Sequence, residues 1–507
     1  MGQENIKGVF GLQQGIIAPD AYSTAWLALV PEKNEPNWPA WPQALTYLRE
    51  HQLMDGGWGE AEAYNAHDRT ICTLATMRAF LEWGELPKSQ LIERAIEALH
   101  KYAPDLEGEN HEMVGFELAL PRLVRELDNK GVRLNIPEWE AILQMGIIKI
   151  ALIGDLTIDY NSPRVWWFTL ETLPEKKLAK IDRNILNADG SVMTSTAATA
   201  AYLRALRLWG DDAPEAAAFL DRVMKNGNGG AGFCYPIEHF ELIWALDNLL
   251  MAGLSPEDPY IALQIKKLAA AWEQSPKGLS FSRSFPINDG DDTSVGYQVL
   301  RRAGLNPTDS PLYDFWDKDH FRSYLDERTA SVTANIHAMS ALRQDVGKHA
   351  KSKEMAILTT EWLRRYLAQD LAFSDKWHAS PVYSASHTIY ALANWDNELA
   401  NNSLNIILEN QRDDGGWGFL GQTTVEETSH AILGLVSAHR AGLLPSKRPL
   451  THAKKYMDKH YMERSNTRLW IGKTLYHPIG VVESLVYSAR VALEIEGIES
   501  GHSQWVQ

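Results

Sequence analysis

The chain has 507 residues, and its 49 Lys and Arg against 65 Asp and Glu give a formal net charge of −16. An apolar content of 45% argues against intrinsic disorder, and the acidic balance argues against a nucleic-acid partner. Eighteen Trp exceed the 13 Phe, and rings in such number either fill a core or line an apolar cavity. Cys72 and Cys234 lie far apart, which excludes a disulfide scaffold and predicts a cytoplasmic location.

Helical periodicity dominates the chain from its first third onward. Apolar residues recur at i, i+3 and i+4 in the segments 91–103, 196–210, 240–253 and 429–442. Short connections rich in Gly, Pro, Asp and Asn separate such segments, which predicts an all-α chain. No run approaches about 18 uninterrupted apolar residues, and MGQENIKGVF does not resemble a signal peptide, so no integral membrane segment is expected.

A short motif occurs twice. Segments 48–60 and 408–420 each have the end of a helix, a Gln and then Gly-Gly-Trp-Gly, with the rings at Trp58 and Trp417. Glycine can end a helix with a positive φ, and the Trp can then stack back on the helix end. Two such copies indicate two related helical barrels.

The sharpest local feature is the cluster Asp289, Asp291 and Asp292, just before an amphipathic segment. One interpretation is a helix cap with acids in the first turn, and a calcium loop lacks its later Glu. The catalytic interpretation uses like-charge repulsion, because carboxylates this close cannot all ionise cheaply and one proton is retained. In a dry aromatic cavity, such a proton could be transferred to an alkene.

The Asp-x-Asp-Asp motif with the Gln…Gly-x-Trp repeats resembles the class II terpene cyclases. Within that group, the chain is most similar to bacterial class II diterpene cyclases of the copalyl diphosphate synthase type. Matching blocks run in family order through 21–30, 51–59, 67–75, 113–121, 189–200, 235–244, 331–342 and 469–476.

This resemblance implies two α/α-barrel domains. The β domain would comprise residues 1–35 and 230–507, and the γ domain, residues 36–229, would be inserted into it. The length fits a chain of these two domains without a class I α domain, and the Asp-rich string at 211–215 reads as a loop rather than a class I magnesium motif. The product is therefore expected to keep its diphosphate.

The resemblance also assigns roles to residues. Asp291 would donate the proton, while Asp289 and Asp292 would set its acidity and orientation. Asn335 matches the position that hydrogen-bonds the acid. The candidates for the cavity wall, each of which could equally fill a core, are Trp377, Trp417, Tyr383, Phe240 and Trp244.

The substrate's diphosphate requires cations. Lys473 matches a family block and is the first choice, followed by Arg69 and Lys376, although a lone basic residue is usually a solvated surface charge. Magnesium is expected as the cofactor. Glu109 and Glu112 lie where plant members carry an acidic magnesium motif, and a solvated acidic face is the equal alternative.

One departure from the family concerns the last step. Plant ent-copalyl synthases hold a deprotonating water with a His and an Asn, whereas Phe168 stands at the His position here, and the Asn position falls at Asn187 or Asp189. A missing base would let the bicyclic cation live longer. We therefore expect a rearranged halimadane or clerodane skeleton.

The resulting hypothesis is a monomeric or homodimeric cyclase of geranylgeranyl diphosphate, an isoprenoid diphosphate. A downstream class I terpene synthase or phosphatase would consume its product. The alternatives are a drimenyl-type cyclase of farnesyl diphosphate and a squalene-hopene-like cyclase. Outside this class stand an α/α-barrel glycosidase, whose two carboxyl groups would lie farther apart, and a protein-binding helical solenoid.

Overall fold

The protein is built almost entirely from helices in the computed structural model. The structure describes residues 3–11, 14–109, 111, 113–154, 158–327, 329–369, 375–419, 421–461 and 467–499. The α-helices in these ranges are α1 Gln3–Gly11, α2 Ala21–Ala28, α3 Pro42–Glu50, α4 Ala66–Glu82, α5 Gln90–Tyr102, α6 Phe116–Asn129, α7 Glu140–Gly154, α8 Glu175–Leu178, α9 Thr196–Leu208, α10 Pro214–Asn226, α11 Glu238–Ala252, α12 Pro259–Gln274, α13 Gly290–Arg302, α14 Ser310–Asp314, α15 Val332–Arg343, α16 Ala350–Gln369, α17 Pro381–Leu392, α18 Asn397–Glu409, α19 Val425–Arg440, α20 Arg448–His460 and α21 Ile479–Ile495.

Short elements complete the chain. Turns of 3-10 helix lie at Ala103–Asp105, Pro137–Trp139, Val165–Thr172 and Arg183–Ile185. Two antiparallel hairpins pair β1 Trp316–Asp317 with β2 His320–Phe321, and β3 Trp470–Ile471 with β4 Leu475–Tyr476. The all-α prediction is confirmed. No helix within the ranges given above is both long and apolar enough to span a bilayer.

The C-terminal part of the chain forms an α/α barrel. Helices α11, α13, α15, α17, α19 and α21 pack side by side, and α21 returns to α11 to close the ring. Helices α12, α14, α16, α18 and α20 lie outside this ring, and α1 packs against α12 and α21. The N-terminal helix is therefore part of the second barrel.

A second, smaller ring lies N-terminal to it. Helices α2, α4 and α6, the 3-10 helix Val165–Thr172 and α9 pack in a closed circle, with α3, α5, α7, α8 and α10 outside. Because α2 is buried on every face, as an inner helix must be, it belongs to this first barrel. The assignment of all of residues 1–35 to the β domain therefore disagrees with the packing of α2, whereas the other boundaries of the two domains stay a prediction.

Polar caps begin four of the six inner helices of the second barrel. Asp289, Ser331, Ser380 and Thr424 precede α13, α15, α17 and α19, and each side chain accepts a hydrogen bond from a backbone N–H two or three residues further on. Such caps satisfy donors that a helix leaves unpaired at its N-terminus. They fix where each of these helices starts, and with it which residues face the barrel axis.

The two copies of the Gln…Gly-Gly-Trp motif have the same hydrogen bonds. Trp58 Nε1 donates to the carbonyl oxygen of Leu48 at 2.6 Å, and Trp417 Nε1 donates to that of Ile407 at 2.7 Å. In each copy the Gln amide donates to the carbonyl oxygen of the first motif glycine. Each Trp thus ties a loop to the helix before it, α3 or α18.

Replacing Trp417 with Phe should weaken the fold. The change removes the indole N–H and leaves the carbonyl oxygen of Ile407 without that donor, so we expect the free energy of unfolding to fall by about 1–3 kcal/mol. Chemical denaturation followed by circular dichroism measures the change. Trp38→Phe, at a position 65% exposed, serves as the control. Equal stability of the two variants would contradict a fastening role for Trp417.

Candidate active site

A cavity of about 520 Å³ lies between the two barrels, and both contribute to its wall. The first barrel supplies residues of the segment around α6, and the second supplies the start of α13, part of α11 and the β3–β4 hairpin. The wall is rich in aromatic side chains, as ligand pockets are, and includes Phe168, Phe240, Trp244, Tyr324, Trp377 and Trp470.

The Asp cluster lies at the wall of this cavity, at the start of α13. Asp289 is the cap of the helix, and its Oδ1 accepts a hydrogen bond from the backbone N–H of Asp292 at 2.7 Å. The backbone N–H of Gly290 donates to Ser323 at 2.8 Å, and a Cβ at residue 290 would lie 2.3 Å from the carbonyl oxygen of Arg322. Glycine is therefore required between the first two acids.

Two of the three acids share a proton. Burial raises the pKa of Asp289 to about 7, although hydrogen bonds from Asp292 oppose the shift. Burial, and then the charge of Asp289, raise the pKa of Asp292 well above its ordinary value. Burial, reinforced by the repulsion between the two carboxylates, thus favours one retained proton on the pair Asp289 and Asp292.

Asp291 has a different environment. Its side chain lines the cavity and keeps 16% of its surface exposed. Its Oδ1 lies 2.6 Å from Nδ1 of His337, a residue that is 2% exposed. The middle acid therefore faces the cavity while one of its oxygens is held by a buried imidazole.

The predicted partner of this acid was the wrong residue. Asn335 donates its amide N–H groups to the carbonyl oxygens of Phe321 and Ser331, and its Oδ1 accepts from the N–H of Phe321 at 2.7 Å. It therefore fastens β2 to α15. Two residues along a helix rotate a side chain by about 200°, so Asn335 and His337 point to opposite sides of α15.

His337 belongs to a row of histidines that the sequence analysis missed. His337, His387 and His430 follow the caps of α15, α17 and α19 by six or seven residues. His337 Nε2 lies 2.9 Å from His387 Nδ1, and the rings of His387 and His430 lie 5.8 Å apart, centroid to centroid. The recurrence of His at one level of successive inner helices is the signal that could have revealed them.

Two predicted diphosphate ligands lie elsewhere. The Lys473 ammonium donates to Glu171 and to Ser195, each at 2.7 Å, and is 2% exposed. Burial lowers the pKa of Lys473, although Glu171 opposes the shift. The Arg69 guanidinium is bound to backbone and acidic groups beside the first Gly-Gly-Trp motif. Neither is among the residues that line the cavity, although the Lys473 ammonium lies 4.6 Å from the ring centroid of Phe168, which is one of them.

Lys376 does lie on the wall, paired with Glu327, and its ammonium is 5.1 Å from the ring centroid of Trp377. Of the predicted aromatic residues, Trp377, Phe240, Trp244 and Phe168 line the cavity. Trp417 and Tyr383 do not and are buried in the second barrel, where Trp417 makes its repeat contact and Tyr383 stacks on His378.

The position expected to hold the final base is apolar. Phe168 packs edge-on against Phe233 and Phe285, with both pairs of ring centroids 6.0 Å apart. The Asn187 amide donates to the carbonyl oxygen of Ser284, and the Asp189 carboxylate accepts from Ser191. Neither side chain forms part of the cavity wall.

Carboxylates near the first barrel's side of the cavity offer oxygen ligands to a cation. Glu109 accepts backbone N–H groups of Ala66 and His111, and Glu117 lines the cavity next to His111. Burial opposes ionisation of Glu109, but the hydrogen bond of the His111 side chain, and then those of the two backbone N–H groups, outweigh it and lower the pKa of Glu109. Glu112, the other predicted ligand, falls outside the described residues.

A third group of ligand atoms lies deep in the second barrel. His378, Glu426 and His430 bring one ligand atom each within 4.8 Å of one another. However, the N–H of Ser380 donates to His378 Nδ1, so the ring proton is on Nε2 and points to Glu426 Oε1 at 3.4 Å. A metal ligand normally donates its other ring N–H instead. This group is therefore a hydrogen-bonded network.

Two α/α barrels enclosing an aromatic cavity with a buried acid cluster define a terpene-cyclase architecture, and comparison with known proteins agrees. The chain is 31% identical over 496 residues to the type B diterpene cyclase of Mycobacterium tuberculosis, which spans 93% of this chain and 95% of that protein. It is 30% identical over 400 residues to the copal-8-ol diphosphate hydratase of Cistus creticus subsp. creticus, a match that covers 74% of this chain but 46% of the plant protein.

Among solved structures, the ent-copalyl diphosphate synthase from Streptomyces platensis has a TM-score of 0.77 at 24% identity, covering 96% of this chain and 99% of that chain. No protein-family model matches the chain. The chain belongs to the class II diterpene cyclases, the type B group of its mycobacterial relative, and is an enzyme of that class.

The buried ion pair of Lys473 and Glu171 should stabilise the folded state. Lys473→Met leaves the carboxylate of Glu171 buried without its cation, so we expect unfolding to require about 3–5 kcal/mol less. Adding Glu171→Gln should recover part of the loss because both charges are then gone. Denaturant titrations of the single and double variants measure this. Lys376→Met is the control, and a loss as large in that variant would contradict the assignment.

Proposed function

We propose that this class II cyclase accepts geranylgeranyl diphosphate, protonates its terminal alkene, closes two rings and releases a bicyclic diphosphate. The observation that carries the proposal is Asp291, which faces an aromatic cavity while His337 holds its Oδ1 at 2.6 Å. The substrate class is supported by the diterpene cyclase relatives, whose names include diphosphate products.

Asp291 is the proton donor in this mechanism. With Oδ1 occupied by the N–H of His337, the proton of the acid lies on Oδ2, the oxygen left for the cavity. Transfer of that proton forms a C–H bond on the alkene and leaves a tertiary carbocation and a carboxylate. The charge-assisted hydrogen bond from His337 stabilises the carboxylate, so it strengthens as the proton leaves.

The aromatic wall stabilises the cation that results. Phe240, Trp244 and Trp470 line the cavity, with Phe240 and Trp470 at 5.3 Å and Phe240 and Trp244 at 4.7 Å between centroids. The negative electrostatic potential of an aromatic face attracts a cation. The single negative charge shared by Asp289 and Asp292 lies at the same wall. A dry cavity also keeps water from quenching the cation before the rings close.

The diphosphate remains on the product because no step breaks its C–O bond. We propose that Lys376 orients the diphosphate. To do so, its ammonium would give up part of its contact with Glu327. Glu109 and Glu117 have the hard oxygen ligands that magnesium prefers, and we propose that they hold the ion. Bound magnesium would neutralise diphosphate charge. A class I terpene synthase or a phosphatase would then act on the product.

Loss of the last proton determines the skeleton. Phe168 packs against Phe233 and Phe285 at the cavity wall, and its phenyl ring can neither accept a proton nor hold a water molecule by a hydrogen bond. The bicyclic cation then persists long enough for hydride and methyl shifts. We therefore propose a rearranged halimadane or clerodane product.

Asp291→Asn should abolish cyclisation without loss of the fold. The amide cannot donate a strongly acidic proton, so we expect kcat to fall by at least about 100-fold. Purified protein is incubated with geranylgeranyl or farnesyl diphosphate and magnesium, and the products are dephosphorylated and analysed by mass spectrometry. Asp326→Asn, an exposed position, is the control. An active Asp291→Asn enzyme would place the acid elsewhere, and turnover of farnesyl diphosphate alone would correct the substrate.

Phe168→His should shift the product toward an unrearranged skeleton. An imidazole at this position can accept a proton or hold a water molecule, which shortens the life of the bicyclic cation. The ratio of unrearranged to rearranged alcohols, measured by gas chromatography with mass spectrometry, should rise severalfold. Phe281→His, at another aromatic position on the wall, is the comparison. If the unmodified enzyme formed only unrearranged product, this account of the final deprotonation would be contradicted.

A further inference from the structure

We propose that His387 is a positioning residue for the acid, which accepts the second N–H of His337 and holds that imidazole in place as a doubly hydrogen-bonded cation against Asp291. The inference rests on the proposed function and extends the acid site beyond the Asp cluster to α17. The inference is based on three side chains that are hydrogen-bonded in series. They are Asp291, His337 and His387, on three successive inner helices.

The geometry leaves little freedom to the middle ring. His337 has Asp291 Oδ1 at 2.6 Å from its Nδ1 and His387 Nδ1 at 2.9 Å from its Nε2. His337 is 2% and His387 3% exposed, so water cannot readily replace either partner. Tyr383 packs against His387 with 4.5 Å between ring centroids, which fixes the second ring in turn.

Proton counting defines what His387 must do. Two facing ring nitrogens can share one proton but not two, so a neutral His387 that presents a lone pair on Nδ1 accepts the Nε2–H of His337. If His337 is then neutral, its Nδ1 presents a lone pair to Asp291. That lone pair would accept the acid's proton at Oδ1 and hold it away from the substrate.

The catalytically competent state is therefore the one in which His337 donates from both nitrogens. Asp291 then receives an N–H at Oδ1 and keeps its own proton on Oδ2, facing the alkene. Without an acceptor at His387, the Nε2–H of a charged His337 would be buried and unsatisfied, which disfavours the cation. His387 thus acts on the substrate only through His337.

The electrostatic surroundings place the positive charge on His337 rather than on His387. Burial opposes the charge on His337, but the carboxylate form of Asp291, and then Asp247 and Asp375, outweigh it, so the pKa of His337 lies above its ordinary value. While Asp291 holds its proton, Asp247 and Asp375 and the acceptor at His387 remain to favour the cation. Burial, and then the charge of neighbouring histidines, lower the pKa of His387 well below its ordinary value. The ionisable groups that face the pair are Asp291, Asp247, Asp375, His378, His430 and Tyr383.

Two variants of His387 distinguish the effect of its hydrogen-bond acceptor from the effect of its packing. His387→Asn carries its amide oxygen as far along the side chain as the imidazole Nδ1, so it can still accept from His337. His387→Leu fills the space without an acceptor. We expect His387→Leu to lower kcat about tenfold to a hundredfold with KM changed less than twofold, and His387→Asn to keep most of the activity.

The pH dependence of activity is a further test, because a purely structural role of His387 would not change it. A cation that is required is present below the pKa of His337 and lost above it, so activity falls as pH rises through that pKa. Because His387→Leu lowers this pKa, its activity should fall at a pH about one unit lower than in the unmodified enzyme. His387→Asn should keep the original profile.

The control is His239→Leu, which removes another buried imidazole of the second barrel, one whose Nδ1 lies 3.1 Å from the carbonyl oxygen of Ser280. It should leave kcat and the pH profile unchanged. Unaltered kcat and pH profile in His387→Leu would overturn the inference. So would equal losses in the Leu and Asn variants when thermal unfolding shows both to be folded.

Nuclear magnetic resonance separates this inference from the proposed function. In the protein labelled with ¹⁵N at histidine, the His337 signals, assigned by their loss in His337→Gln, report its charge as pH is varied without substrate. His337 should lose its charge at lower pH in His387→Leu than in the unmodified protein. If the chain forms no cyclised product, the proposed function fails, and an unchanged titration of His337 would independently overturn the role of His387.

Discussion

A carboxyl group that protonates an alkene must be kept from water, yet its charge after proton transfer must be balanced. The contact between Asp291 and His337 satisfies both requirements, because the imidazole is buried and one oxygen of the acid remains at the cavity wall. Much of the second barrel can be understood from this contact. Asp289 and Asp292 share a proton beside it, so the cluster as a whole avoids three adjacent charges.

The cavity depends on the junction of the two barrels. The hairpin β3–β4 lies against the first barrel, where the N–H of Leu475 donates to Asp68 and the ammonium of Lys473 donates to Glu171 and Ser195. Gly472 in the same hairpin lines the cavity and accepts the N–H of Val114 from the first barrel at 2.7 Å. Charged groups in the matching family block therefore hold the walls together, while rings face the substrate.

Local signals in the sequence were sufficient for the helices and the two Trp repeats, because spacing and end residues determine these over a few positions. The acid cluster was also recognisable, since three Asp in four residues before a helix are unusual. Partners from distant parts of the chain were not. Lys473 is a buried cation whose partner Glu171 lies 302 residues away, and no local pattern distinguishes it from a diphosphate ligand. The assignment of helix α2 disagrees with its packing for the same reason, since its neighbours α4 and α9 decide its barrel.

Asn335 illustrates a finer limit. The right segment was found, but a shift of two residues moves the side chain across the helix, from the barrel axis to the β1–β2 hairpin. Only the register set by the Ser331 cap decides which of Asn335 and His337 meets the acid.

The most direct measurement of the central claim is turnover of geranylgeranyl diphosphate in deuterated water. Because the proton of Asp291 exchanges with solvent before substrate binds, the account predicts a bicyclic diphosphate with one deuterium, at the ring carbon derived from the terminal alkene CH. Cyclised product without deuterium at that carbon, or a cyclised hydrocarbon that has lost its diphosphate, would contradict protonation by this site.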